Sequence, residues 1–148
     1  MDQRGDYLRF SIIIPAYNEA AYLGRTLHSL QHQDYDGNYE IIVVDNNSTD
    51  DSAAVAARCG VPVVRELRQG VCAARQRGAD HARGEVIIST DADTTQPRDW
   101  SRTIDAGFAP SEQVITVAGP CRYENPSWWA KACPTFLFDR LVDSWHYP

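Results

Sequence analysis

Lysine is almost missing from this chain: Lys131 is the only one among 14 basic residues, which face 20 acidic ones for a formal charge of −6. A general nucleic-acid binder normally carries a net basic face, so nucleic acid is excluded as the expected partner. Apolar runs are short, and none approaches the roughly 18 residues of a membrane-spanning helix. The four cysteines, Cys59, Cys72, Cys121 and Cys133, show no CxxC spacing and no accompanying histidine pair. That pattern argues against a zinc site and against a disulfide framework, and for a reducing compartment. The opening "MDQRGDYLRFSIIIPAYNEA" sets acids ahead of a short apolar run with no small-residue cleavage pattern, unlike a signal peptide. The cytoplasm is therefore the expected location. Internal repeats and low-complexity linkers are absent as well.

What is present suits one domain with a real core: 148 residues, 43% hydrophobic and 10% aromatic. Apolar runs recur at Phe10–Ile14, Ile41–Val44, Val61–Val64, Val86–Ile88 and Val114–Val117, and each reads as a strand buried on both faces. Between them the spacing turns helical: Leu23, Leu27 and Leu30 share a face, as do Trp100, Ile104 and Phe108. Alternating strands and helices predict an α/β fold, a mostly parallel sheet flanked by helices with right-handed crossovers. Ser48 or Thr49 is the expected N-cap of the second helix, with Asp50 and Asp51 in its first turn, and Pro97 suits the first position of the fourth. Over 70–83, Ala74, Gly78 and Ala82 form a small-residue stripe that would let that helix approach the sheet closely. The remaining end, "GPCRYENPSWWAKACPTFLFDRLVDSWHYP", is aromatic and broken by Pro134, with a helix expected over 135–145. Packing on its own domain is the preferred reading there; a partner chain or a membrane surface are the others.

In an open parallel sheet, ligands bind at the C-terminal ends of the strands. Three of those ends are polar and acidic: Pro15–Glu19 after the first strand, Asp45–Asp50 after the second, Thr90–Asp93 after the fourth. Asp91 and Asp93 stand two apart, so an extended backbone would aim both carboxylates at one side, where they repel unless a hard divalent ion such as Mg2+ or Mn2+ lies between them. An isolated DxD is a weak signal, since aspartate is also a common turn residue. A local run of arginines, Arg65, Arg68, Arg75, Arg77 and Arg83, offers the other sign, with Arg77 and Arg83 expected as solvated helix faces.

Taken together, "FSIIIPAYNEAAYLGRTLHSL", "YEIIVVDNNSTDDS" and "RQGVCAARQRGADHARGEVIISTDAD" resemble, in order and spacing, the nucleotide-binding half of family 2 glycosyltransferases with the GT-A fold, over about residues 9–108. The resemblance implies a Rossmann-like half that binds a nucleoside-diphosphate sugar of the UDP or GDP type, with Mn2+ or Mg2+. Pro15, Ala16, Tyr17 and Glu19 match the loop around base and ribose. Asp45 matches the acid that bonds the base, and Asn46 stands where many members have a second aspartate. Gly70 and Arg75 match the "GxxxAR" helix start near the phosphates, although Gln76 replaces the usual asparagine. Asp91 and Asp93 match the DxD signature, the first reaching ribose or metal and the second the metal.

Such proteins usually invert the anomeric centre by direct attack of an acceptor hydroxyl, helped by a carboxylate in a later motif often reading "ED". Neither that motif nor a glycine-rich acceptor segment is found; Glu124, Asp139 and Asp143 lack the expected neighbours. The expected organisation is a donor domain at 1–120 and, at 121–148, an aromatic extension opening a truncated acceptor region, a surface for peripheral membrane contact or self-association. A non-catalytic nucleotide-sugar-binding module is the alternative. A sugar-nucleotide-forming nucleotidyltransferase ranks lower, because no glycine-rich basic loop follows the first strand, and a dehydrogenase lower still, because no GxGxxG does. The donor base, the sugar, the acceptor and the catalytic base are not legible.

Overall fold

The computed structural model describes residues 7–109 and 116–119. Residues through Ala106 form one compact unit and Gly107–Pro148 a second; the site lies in the first. Its elements run β1 (Phe10–Ala16), α1 (Ala20–Gln31), β2 (Tyr39–Asp45), α2 (Ser52–Arg58), β3 (Val63–Arg65), α3 (Val71–Ala79), β4 (Val86–Ser89) and α4 (Trp100–Phe108). The four strands pair in the order β3-β2-β1-β4, all parallel, as the alternation predicts.

Strand side chains alternate between two faces, and here both faces are covered. Phe10, Ile12, Ile14 and Ala16 of β1 join Ile41 and Val43 of β2 and pack on Leu23, Leu27 and Leu30 of α1 and Ala56 of α2. Ile13, Ile42 and Val44 face the other way and pack on Ala74 of α3. The three leucines of α1 are fully buried, each worth about 1.5–3 kcal/mol relative to exposure. On the α3 side the small-residue stripe has the expected use, since a Cβ on Gly78 would overlap Ile13 Cγ2 and lie 3.1 Å from Val44 Cγ2. Only Ala74 and Gly78 of the stripe are within the helix; α3 ends at Ala79 and leaves Ala82 in the following turn.

The N-terminal strand ends are tied shut. Ser11 Oγ donates to Glu40 (2.7 Å) and accepts from the backbone N–H groups of Arg83 (3.1 Å) and Gly84 (2.8 Å). The Arg83 guanidinium holds the same glutamate at 2.7 Å, so Arg83, exposed to solvent as expected, lies beyond α3 and is an ion-pair partner. The C-terminal strand ends lead into the loops that precede the four helices.

Three further expectations change. The second helix starts at Ser52, not at Ser48 or Thr49, because those two bond to the preceding loop instead. Pro97 lies in the turn before α4; its carbonyl accepts from Trp100 N–H (3.1 Å), and the helix begins at Trp100. Of the expected fifth strand, Thr116 and Val117 are described and are not in a strand, whereas Val114 and Ile115, like the expected helix at 135–145, lie outside the described residues.

Adding one methyl at the α3–sheet contact isolates the close approach. Gly78→Ala gains up to about 1 kcal/mol of helix propensity but incurs roughly 1–3 kcal/mol of overpacking against Ile13. The expected result is a lower urea midpoint with an unchanged slope.

Candidate functional site

The loops after β1 and β2 are built as one unit. Asn18 N–H donates to Ser48 Oγ (3.1 Å), Thr49 N–H to Asn18 Oδ1 (2.8 Å) and Glu19 N–H to Ser52 Oγ (2.8 Å). Asp50 accepts from Ala20 N–H (3.0 Å) on one carboxylate oxygen and from Ser52 N–H (3.0 Å) on the other. A single carboxylate thus serves the first residues of both α1 and α2, where helix-end N–H groups are otherwise unpaired and negative charge is favoured. Asn18 (φ 57°) and Asn47 (φ 65°) adopt the left-handed conformation that asparagine tolerates better than most residues.

Asn46 joins the next loop to this unit. It is 3% exposed. Its amide nitrogen donates to the carbonyls of Glu66 (2.9 Å) and Arg68 (2.7 Å), and its oxygen accepts from Gly70 N–H (2.7 Å). Gly70, at φ 133°, is the residue from which α3 departs. Aspartate at this position would face two carbonyls with no donor to offer, a physical reason for an amide where the family resemblance leads one to expect an acid.

After β4 the chain turns at once. Ala92 and Asp93 lie in a turn rather than an extended segment, so the two-residue spacing does not act through strand geometry as expected. Thr94 Oγ1 closes the turn on the Asp91 carbonyl (2.8 Å), and the buried Thr26 of α1 donates to the Ala92 carbonyl (2.7 Å). Arg75 reaches from α3 to Asp91 Oδ1 (3.0 Å) and Ser89 Oγ (3.1 Å). Asp93 is exposed and makes no hydrogen bond or ion pair among the described residues.

These loops bound a cleft of about 360 Å3 lined by Pro15, Ala16, Tyr17, Glu19, Asn46, Gly70, Asp91 and Asp93, together with Gln69, Val71, Ala74 and Ala92. Two expected members are not on its wall. Asp45, 3% exposed, is folded beneath the loop, where one oxygen accepts from Ser48 N–H (3.1 Å) and the other lies 3.8 Å from the Arg65 guanidinium. Arg75 flanks the cleft through Asp91. Of the other arginines of that run, Arg65, Arg68 and Arg83 stand beside Asp45, Glu66 and Glu40, and Arg77 is exposed on α3 as expected. Of the four lining residues that sequence reasoning missed, Val71 and Ala74 sit inside the "GxxxAR" stretch and Ala92 between the two aspartates. Gln69 carried no signal beyond preceding Gly70.

One rim of the cleft is acidic. Glu19 has its carboxyl pushed above the ordinary 4.5, first by partial burial and then by the charges of Asp93, Asp50 and Asp91. A raised carboxylate favours the protonated folded state, so its ionisation weakens the fold as pH rises past 4.5.

A sequence model of glycosyl transferase family 2 matches residues 11–140. The chain belongs to glycosyl transferase family 2. Among its relatives, the undecaprenyl-phosphate 4-deoxy-4-formamido-L-arabinose transferase of Edwardsiella ictaluri is 31% identical, over 89% of this chain and 42% of its own length. The mannosyltransferase PcManGT from Pyrobaculum calidifontis, solved in complex with GDP-Man and Mn2+, superposes with a TM-score of 0.66 and 31% identity, covering 72% of this chain and 34% of that one. TarS 1-349 of S. aureus, solved in complex with UDP, gives 0.64 and 26%, covering 68% and 32%. This family 2 chain has the GT-A fold of those neighbours, and it spans less than half the length of the curated relatives it matches. Among its described residues, no helix is long and apolar enough to cross a membrane.

Two substitutions separate scaffold from acid rim in this family 2 site. Asn46→Asp is expected to lower stability by roughly 2–4 kcal/mol, because two buried carbonyls lose their donors and a charge is buried beside them; a denaturant midpoint that does not move contradicts the scaffold role. Glu19→Gln removes a carboxylate whose ionisation opposes folding. Its melting temperature should exceed the parent's at pH 7 and match it near pH 4, where the parent carboxyl is largely protonated.

Proposed function

We propose that this cleft binds the nucleoside-diphosphate part of a sugar donor of the UDP or GDP type, and that the chain is the donor side of a metal-dependent, inverting glycosyltransferase. The observation that carries the reading is the convergence, in a family 2 chain, of the loops after all four strands on one cleft with an acidic end and an amide end. Neighbours of the same fold solved with GDP-Man and Mn2+ or with UDP support it.

The residues fit a divalent cation of the hard, oxygen-liganded kind. Asp93 is an exposed carboxylate with no protein partner among the described residues, and Asp91 lies two residues away across the turn. No group of three His, Cys, Asp or Glu side chains able to hold a metal ion occurs among the described residues. Two carboxylates are nevertheless within the need of Mn2+ or Mg2+, which take one or two and complete their ligands with water and substrate phosphate. Such an ion, when bound, supplies Lewis-acid stabilisation of the departing diphosphate.

The chain's own groups do the rest. Arg75, already beside Asp91, is placed to pair with a phosphate. Pro15, Ala16 and Tyr17 wall the nucleoside, Asp45 and Asn46 hold the loops that carry it, Gly70 lets α3 start at the cleft, and Glu19 is relieved of repulsion when a cation enters. In the same reading residues 1–120 hold the donor and 121–148 begin the acceptor side; a hydroxyl of the bound acceptor attacks the anomeric carbon from the face opposite the leaving diphosphate and gives its proton to a general base. Free thiols at Cys59 and Cys72 are in keeping with a cytoplasmic setting.

Calorimetric titration of UDP- and GDP-sugars with Mn2+ tests the reading, alongside an assay for sugar transfer and donor hydrolysis. Asp93→Ala should weaken metal-dependent binding by at least about 10- to 100-fold, since loss of even an outer partner of a metal site costs that much. Binding unaffected by Asp93→Ala or by chelator rejects the metal assignment. Binding without turnover identifies a nucleotide-sugar-binding module using the same cleft.

A further inference from the structure

The cleft has two chemically different ends, and the sheet order sets which is which. The loop after β3 supplies Gln69, Gly70 and Val71, and the loop after β4 supplies Asp91, Ala92 and Asp93. These are the loops of the two outer strands, β3 and β4, three strand spacings or about 14 Å apart. The acids lie at the β1 and β4 end, through Glu19, Asp91 and Asp93. A diphosphate with its cation belongs there, which leaves the base to the neutral end.

At that neutral end few polar groups are open. Both N–H groups of the Asn46 amide are engaged on Glu66 and Arg68, and its oxygen holds Gly70. Asp45 is buried and off the cleft wall. Gln69 differs. Its Oε1 accepts from Asn47 Nδ2 at 3.4 Å, and Asn47 Nδ2 is itself pinned on the Leu67 carbonyl at 2.8 Å. The pinned donor orients the glutamine, so that Oε1 faces Asn47 and the Nε2 amide, without a partner among the described residues, is left as the donor for a ligand. Val71 and Tyr17, both about half exposed on the same cleft, offer apolar surface to a flat ring.

We propose that Gln69 is the residue that reads the donor base, and that by presenting N–H it selects a base with an exocyclic carbonyl, uracil or guanine, over one with an amino group there, cytosine or adenine. The inference rests on the donor reading of the cleft. It follows from pairing rules: uracil O4 and guanine O6 accept a hydrogen bond, whereas cytosine N4 and adenine N6 donate and would face the amide donor-to-donor. A site built to hydrogen-bond one partner discriminates because the wrong one leaves polar groups unpaired.

Binding of UDP, CDP, GDP, ADP and inorganic pyrophosphate to the 148-residue chain, each with Mn2+, tests this by calorimetry. The parent should prefer UDP over CDP, or GDP over ADP, by about tenfold, the size of one hydrogen bond kept against one lost. Gln69→Ala should bring the preferred pair within about twofold of each other and leave pyrophosphate binding unchanged. Gln69→Glu, which accepts but cannot donate, should reverse the preference toward CDP or ADP; a residue that merely shapes the loop would not produce a reversal. A parent without preference, or a preference that survives in both variants, overturns the assignment to Gln69. Failure of all four nucleotides to bind overturns the donor reading itself, and the inference with it.

Discussion

The buried amide of Asn46 is the contact on which the rest of the site depends. A parallel sheet ends in loops that have no partners of their own, and their backbone groups must be satisfied by something. Here one carboxamide, 3% exposed, takes two carbonyls and one N–H from the segment 66–70. Through that segment it sets where Gly70 releases α3, and therefore where Arg75 meets Asp91. The chemistry of the cleft is thus held in place by a residue whose own hydrogen-bonding groups are largely committed to the backbone.

Charge is arranged with the same asymmetry. At the closed end of the sheet, Arg83 and Glu40 neutralise each other, and along the neutral flank Arg68 pairs with Glu66. At the open end partial burial, and then the charges of Asp93, Asp50 and Asp91, raise the Glu19 carboxyl, and Arg75 is paired there with Asp91. Such a rim opposes folding slightly and favours any cation that enters, the usual trade between stability and a site.

The legible part of the fold was the part that follows from period. Runs such as "SIIIP" and "IIVV" are apolar without alternation because α1 and α3 cover opposite faces of β1 and β2, and Leu23, Leu27 and Leu30 repeat as a helix face must. Of the site, the acidic strand ends and the "GxxxAR" start were visible as motifs, and eight of the ten residues they named border the cleft. Boundaries were less legible. Ser48 and Thr49 are good N-cap types, yet their side chains and backbone bond across to Asn18, a partner 30 residues away that no local rule sees.

The amino-acid order alone determined the layered architecture and the sheet edge where ligands would sit, because apolar period and strand-helix alternation depend only on neighbours in the chain. Tertiary structure alone decided which polar side chains stay open: Asp45 turned under its loop, Asn46 was consumed by the backbone, and the Gln69 amide donor was left without a partner among the described residues. Hydrogen-bond satisfaction is settled between residues some 20 positions apart, and whether a polar group faces a ligand or another loop is known only once those loops have met.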